Sequence, residues 1–263
     1  MKKALDRLAD TFGEATIQSI EELGSICLFF WNVIKVAPRL VVTKFHLVLE
    51  QLQRVGVESL PLISMISVFV GAVTVWQAKY MFQDYFPYSY IGLVVGKTVL
   101  LDLGPVLTSL VITGRVGAML AAELGTMRVT EQIDAMKVLA LDPYLILLSP
   151  RVLAGFIMMP ILGIYASFIA IVAAQVIATI ALNVEPVTFY NSIKMLFSIS
   201  DVVVNITKTL VFGGVIVLSG CYYGFLTPTK GGAVEVGKST NKAVVAASVL
   251  ILVFNLIVMT LLS

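Results

Sequence analysis

The stretch "RVLAGFIMMPILGIYASFIAIVAAQVIATIAL", residues 151–182, has no charged side chain after Arg151. An uncharged apolar run of this length reads as a membrane-crossing helix, because about 20 such residues suffice to span the hydrocarbon core. As a helix it extends roughly 48 Å, against a core of roughly 30 Å. It must therefore tilt, protrude or break, and Pro160 is the obvious place for a bend.

Working outward, four more segments are apolar enough to cross: Ser59–Lys79, Tyr90–Thr113, Thr207–Leu226 and Ala243–Leu262. The composition agrees, with 59% hydrophobic and 13% charged residues in 263, where soluble domains carry roughly 25% charged residues. A net charge of +2 is too small to imply a nucleic-acid partner. The expected fold is an all-α polytopic membrane protein, with five crossings preceded by an interfacial helix at "SICLFFWNVIKVA" (25–37), which is too short to span and places Trp31 at headgroup depth. Residues 1–50 are expected to form the interfacial segment and 51–263 the five-span body, with a short helix near 126–142. The acids in "MKKALDRLADTFGEATIQSIEELG" (1–24) disfavour a cleavable signal or transit peptide, so the N-terminus is expected to stay in the mature protein.

Lys and Arg number seven before Ser59, four in 114–151 and three in 227–242, whereas the opposite loops hold Lys79, Lys194 and Lys208. The positive-inside rule then puts the N-terminus in the cytoplasm and the C-terminus outside. No internal repeat is evident, which disfavours carriers built from paired halves. Cys27 and Cys221 read as buried small hydrophobes. His46 is the only histidine and has no ligand-spaced companion, and no metal site or nucleophile elbow appears.

The second segment, "YIGLVVGKTVLLDLGPVLTSLVITG" (90–114), carries Lys97 and Asp102. Charges inside a bilayer are expensive and mark functional positions by default. Five residues apart, they sit about 140° around a helix and cannot pair well with each other. Lys97 is near the outer end and can also be read as a snorkelling anchor. Asp102 lies roughly 18 Å along the helix from Tyr90, out of such reach. Pro105 lacks an N–H and frees the carbonyl of Leu101, and Gly104 weakens the helix further. Two readings follow: a bend beside a polar cavity, or a structural kink whose acid bonds a neighbouring helix.

Next, "GRVGAMLAAELG" (114–125) sets small residues four apart in two rows, Gly114/Ala118/Ala122 and Gly117/Ala121/Gly125. Such rows suit close helix packing, within one copy or between two. "TMRVTEQIDAMKVLALDP" (126–143) follows, in which Thr130 is expected to cap a short helix with Glu131, Gln132 and Asp134 in its first turn. Val129, Ile133, Met136 and Ala140 make one apolar stripe, fit to rest on lipid or press into a partner. "GGAVEVGKST" (231–240) contains G-x-x-x-x-G-K-S from Gly232 to Ser239, the pattern of a nucleotide-binding loop. Only 24 residues follow Ser239, nearly all in the last crossing, so a turn whose glycines allow tight backbone geometry is the better reading.

Several stretches together resemble the permease subunits of MCE-associated ABC lipid transporters, the MlaE/YrbE family: "QLQRVGVESLPLISMISVFVGAVTVWQ" (51–77), "LDLGPVLTSLVITGRVGAMLAAELGTMRVTEQIDAMKVLALDP" (101–143), "SPRVLAGFIMMPIL" (149–162) and the loop from Gly231. The resemblance implies a homodimeric multi-pass permease of the bacterial inner membrane, partnered by a cytoplasmic ABC ATPase and an MCE-domain lipid carrier. It further implies that phospholipid is the cargo and that this chain binds no cofactor, ATP and Mg being used by the ATPase. It also implies a substrate path including Gly71, Gln77, Lys97, Asp102, Gly104 and Pro105, and a coupling helix near 126–142 served by Glu123, Arg128, Thr130, Glu131, Gln132 and Asp134. Asp102 stands where the family usually has Glu, and Leu101 where it frequently has Arg, which leaves Lys97 as the nearest substitute cation. The residues by themselves also allow an ion-coupled carrier or channel using Asp102 and Lys97, or a membrane scaffold for a lipid-carrier complex.

Overall fold

The computed structural model describes residues 45–82 and 87–262, together with Gly24 and Lys35. The interfacial helix expected at 25–37, Trp31 and Cys27 lie outside the described residues. Among those described the regular structure is entirely helical, and five helices are long and apolar enough to cross a membrane: Phe45–Phe82, Tyr88–Val129, Tyr144–Leu182, Ile199–Phe225 and Ala233–Leu261.

The first comprises α1 (Phe45–Val55) and α2 (Leu60–Phe82), joined through Gly56 and a short 3₁₀ turn. The polar stretch around His46 buries Val48 and Val55 and keeps its charged residues exposed. The second crossing runs much further than the expected end at Thr113. It consists of α3 (Ile91–Thr98), α4 (Gly104–Ile112) and α5 (Ala118–Val129), with π-turns at Val99–Leu103 and Thr113–Gly117. A short α6 (Gln132–Val138) follows.

The long apolar run forms α7 (Ser149–Leu182), unbroken through Pro160. At roughly 51 Å it overreaches the hydrocarbon core, so protrusion or tilt, not a break, accommodates its length. A helix α8 (Pro186–Leu196) leads to α9 (Ile199–Phe225), and α10 (Ala233–Leu262) closes the bundle. The last two begin eight and ten residues before the sequence-based starts at Thr207 and Ala243. Cys221 is a buried free thiol on α9, as expected of a small hydrophobe.

Two apolar clusters fill the interior. One gathers Ile112, Leu120, Leu124, Ile133, Leu148, Phe212, Ile216 and Phe225, and the other Val75, Ile91, Val95, Val99, Ala174 and Phe189. Along the second crossing the boundary between them falls between Val99 and Ile112, where the buried neighbours are polar: Ser167, Asn205, Lys208 and Thr209.

Candidate functional site

The polar layer begins with a backbone irregularity. In the π-turn Val99–Leu103 the N–H of Gly104 bonds the carbonyl of Val99, and Pro105 has no N–H to give. The carbonyls of Leu100 and Leu101 are thereby left for other donors. Both donors come from α9: Asn205 Nδ2 reaches Leu100 O at 2.8 Å, and Lys208 Nζ reaches Leu101 O at 2.6 Å. The carbonyl that Pro105 was expected to free is the one Lys208 takes. Gly104 leaves room for Ser167, whose Oγ occupies the space a Cβ would need and accepts from Asn205 Nδ2 at 3.0 Å.

Lys208 also donates to Asp102 Oδ1 at 2.8 Å. Its side chain is fully buried, while that of Asp102 is 48% exposed. Neutralising a buried ammonium with a carboxylate and a carbonyl removes most of its cost in hydrocarbon. The half-exposed carboxylate keeps its second oxygen available on the open side. Asn205 Oδ1 is buried with no hydrogen-bond partner, an acceptor left over in the same layer.

A second ion pair lies towards the α3 end. Lys97 Nζ meets Asp201 Oδ1 at 3.1 Å, so the cation that could have been a plain snorkelling anchor is held by α9. Asp201 also accepts from Ser198 N–H at 3.1 Å, and with Ser198 it forms the capping box that starts α9. The pairings 97 with 201, 100 with 205 and 102 with 208 advance together, so the second and fourth crossings run parallel.

Sequence reasoning found Lys97 and Asp102 and missed their partners. Lys208, counted as an outer-loop cation, is inside α9, which leaves Lys79 and Lys194 for that side. The overlooked signal was the Ser198-x-x-Asp201 box, which places the helix start eight residues earlier. Gly71 and Gln77 do not join the ion pairs: Gly71 is buried where α2 presses on the backbone of Ala170, and Gln77 is exposed on α2.

Beyond the layer, one small-residue row, Gly117/Ala121/Gly125, is buried. A Cβ on Gly220 or Gly224 of α9 would stand 2.9 Å from Gly117 O or 2.8 Å from Ala121 O. The other row is only partly covered: Gly114 is exposed with no atom within 4 Å of where its Cβ would be, and Ala118 and Ala122 are half-buried.

Midway along α5, Glu123 bridges Arg54 of α1 and Arg151 of α7, each at 3.0 Å. Thr130 does not cap α6: its hydroxyl donates back to Thr126 O, and Glu131, left-handed at φ 60°, occupies the cap position without a side-chain bond. The chain reverses too sharply there for a threonine cap. Asp134 accepts from Arg128 at 2.6 Å and Lys137 at 3.1 Å. The hydrogen bond from Lys137, then that from Arg128, holds its carboxyl below the usual 3.8. Ile133 alone of the expected apolar stripe is fully buried and anchors α6. Glu131 and Gln132 are exposed, as are Val138 and Leu139, at 87% and 70%.

The nucleotide-loop lookalike is a turn that becomes a helix. Gly231 and Gly232 have φ of 122° and 60°, and α10 starts at Ala233, so Lys238 and Ser239 lie on regular helix. Lys238 pairs with Glu235 one turn back at 2.6 Å. From Glu235 onward the backbone N–H groups bond within the helix, starting with Glu235 N–H to Gly232 O at 3.2 Å, so those of Gly237, Lys238 and Ser239 are not turned towards a phosphate.

A family model described as "Permease MlaE" matches residues 48–261. A probable ABC transporter permease protein of Rickettsia typhi is 35% identical over 257 residues, covering 97% of each chain. Another of Synechocystis sp. is 41% identical over 207 residues, 79% of this chain and 78% of that one. The Haemophilus influenzae protein named intermembrane phospholipid transport system permease protein MlaE is 28% identical over 242 residues, 91% of each chain.

Proposed function

The chain belongs to the MlaE permease family, and on that premise we propose that it is the membrane subunit of an ATP-driven phospholipid transporter, working as a homodimer with a separate ATPase and an MCE-domain lipid carrier. As a multi-pass inner-membrane ABC permease it supplies the path, while the partner hydrolyses ATP. The observation that carries the reading is the polar layer at Asp102. A crossing helix breaks its own hydrogen-bond ladder there, and a half-exposed carboxylate and an unpartnered Asn205 oxygen remain beside the pair with Lys208. A lipid path needs such a polar, deformable level inside an otherwise apolar bundle. An ion-coupled carrier on the same acid is less well supported, because both Asp102 and Lys97 spend their charge on α9.

The exposed face of α6 provides the docking surface for the ATPase: Glu131, Gln132 and the paired Asp134, flanked by Val138 and Leu139. Its motion passes along α5, packed without gaps on α9 through the row at Gly117, and reaches the turn before Gly104-Pro105. A cavity between the two copies then opens or collapses. Affinity purification in mild detergent, followed by mass spectrometry, is expected to recover an ATPase and bound phospholipid; a lone, lipid-free chain would overturn the reading. The double reversal Glu131→Lys with Asp134→Lys should abolish ATPase recovery, and unchanged recovery would remove α6 as the docking site.

A further inference from the structure

The motif that misread as a nucleotide loop adjoins two hollows between the ends of α9 and α10. One, of about 370 Å³, is lined by Tyr223, Asn241, Lys242, Val245 and Ala246. Its neighbour, of about 230 Å³, shares Lys242 and adds Lys238 and Ser239. Three observations bear on what such a space holds.

The first is charge. Glu235 is spent on Lys238, while Lys242 and Asn241 are exposed and have no hydrogen-bond or ion-pair partner among the described residues. Lys242, common to both hollows, is therefore an uncompensated cation, and in the larger one it stands beside the free amide of Asn241. The second is depth. Lys242 is the last charged residue before the uncharged run Ala243–Leu262, which puts its ammonium at the boundary between water and hydrocarbon, where headgroup phosphates lie. The third is the floor. Val245 and Ala246 are apolar, and the exposed Val249, Leu252 and Leu256 continue from them along α10. A soluble anion has no use for that strip, whereas an acyl chain does.

We propose that these hollows form a binding site for an anionic phospholipid, its phosphate on Lys242 and Asn241, its headgroup against Tyr223 and its acyl chain along Val245 and Val249. The site lies at the end of the bundle away from the Lys97–Asp201 pair and is separate from the polar layer at Asp102. It therefore stands whether or not that layer carries cargo. A lysine at the headgroup level contributes about a fivefold preference for an anionic lipid.

Native mass spectrometry of the full chain, titrated with phosphatidylglycerol and with phosphatidylcholine, tests this directly. The expected result is one tightly held phosphatidylglycerol per chain, weakened about fivefold by Lys242→Gln and further by adding Asn241→Ala, and preserved by Lys242→Arg. Phosphatidylcholine should bind at the level of the Lys242→Gln variant. Size-exclusion elution and thermal unfolding of the variants, unchanged from the parent, separate lost binding from lost fold. Wild-type affinity in Lys242→Gln, or equal uptake of the two lipids, would overturn the site. Displacement of phosphatidylglycerol by millimolar inorganic phosphate would overturn the lipid as its source.

Discussion

The helix Tyr88–Val129 meets α9 in two unlike ways. In its first half the contact is made by charges and donors: Lys97 to Asp201, Asn205 to Leu100 O, and Lys208 to Leu101 O and Asp102. In its second half the contact is backbone against backbone, with Gly220 and Gly224 set so close to Gly117 and Ala121 that no side chain fits between. A polar contact can exchange one partner for another, including water or a headgroup, at little change in spacing. A glycine contact depends on distance alone and is lost if the helices part. Under the coupling proposed above, the polar half is the part expected to move and the glycine half the part expected to transmit.

Three tests break or sharpen that division. Asp102→Ala leaves the fully buried Lys208 ammonium with only Leu101 O and the Met259 sulfur, and uncompensating a buried charge costs about 3 kcal/mol. Thermal unfolding of the detergent-purified chain should fall steeply. Adding Lys208→Met should recover more than half of the loss, because the stranded charge outweighs the missing bond. A fall under about 1 kcal/mol would mean that the polar half contributes little to holding the helices together. Next in size, Gly224→Val drives a side chain into Ala121 and Leu124, whose nearest atoms stand 2.8 to 2.9 Å from the first added carbon. Overpacking of this kind costs about 1–3 kcal/mol, and the same unfolding curve measures it. A neutral result would remove the glycine contact as the rigid half.

How much of this was legible in the sequence follows the same division. Lys97 and Asp102 stood out because a charge is conspicuous in an apolar run, and Pro105 announced the freed carbonyl of Leu101. Five crossings followed from apolar length alone. The partners on α9 were hidden by one misplaced boundary: with the helix started at Thr207, Asp201 fell in a loop and Lys208 at its edge. The small-residue rows were visible by spacing, yet only the fold decides that the Gly117 row is buried and the Gly114 row only partly covered. Thr130 failed as a cap for a reason spacing cannot carry, since the left-handed turn at Glu131 is set by how α6 folds back on Ile133. The lookalike loop was set aside for want of an α/β sheet, and it proves to open a helix. Its position on regular helix, beside Lys242, required coordinates.

The smallest expected effect sharpens the comparison most. Lys97→Met removes the outermost polar contact, but Lys97 is 37% exposed and Asp201 keeps the Ser198 N–H that caps α9. An ion pair so placed contributes about 0–1 kcal/mol, so unfolding should barely shift even though a charge has been deleted from a crossing helix. If the polar half is the part that yields, its rungs must weaken from Lys208 outward, leaving the end at Lys97 nearly free to part from α9. A loss above about 2 kcal/mol would instead mark Lys97–Asp201 as a fixed brace, and the yielding element would have to be sought at the π-turn alone.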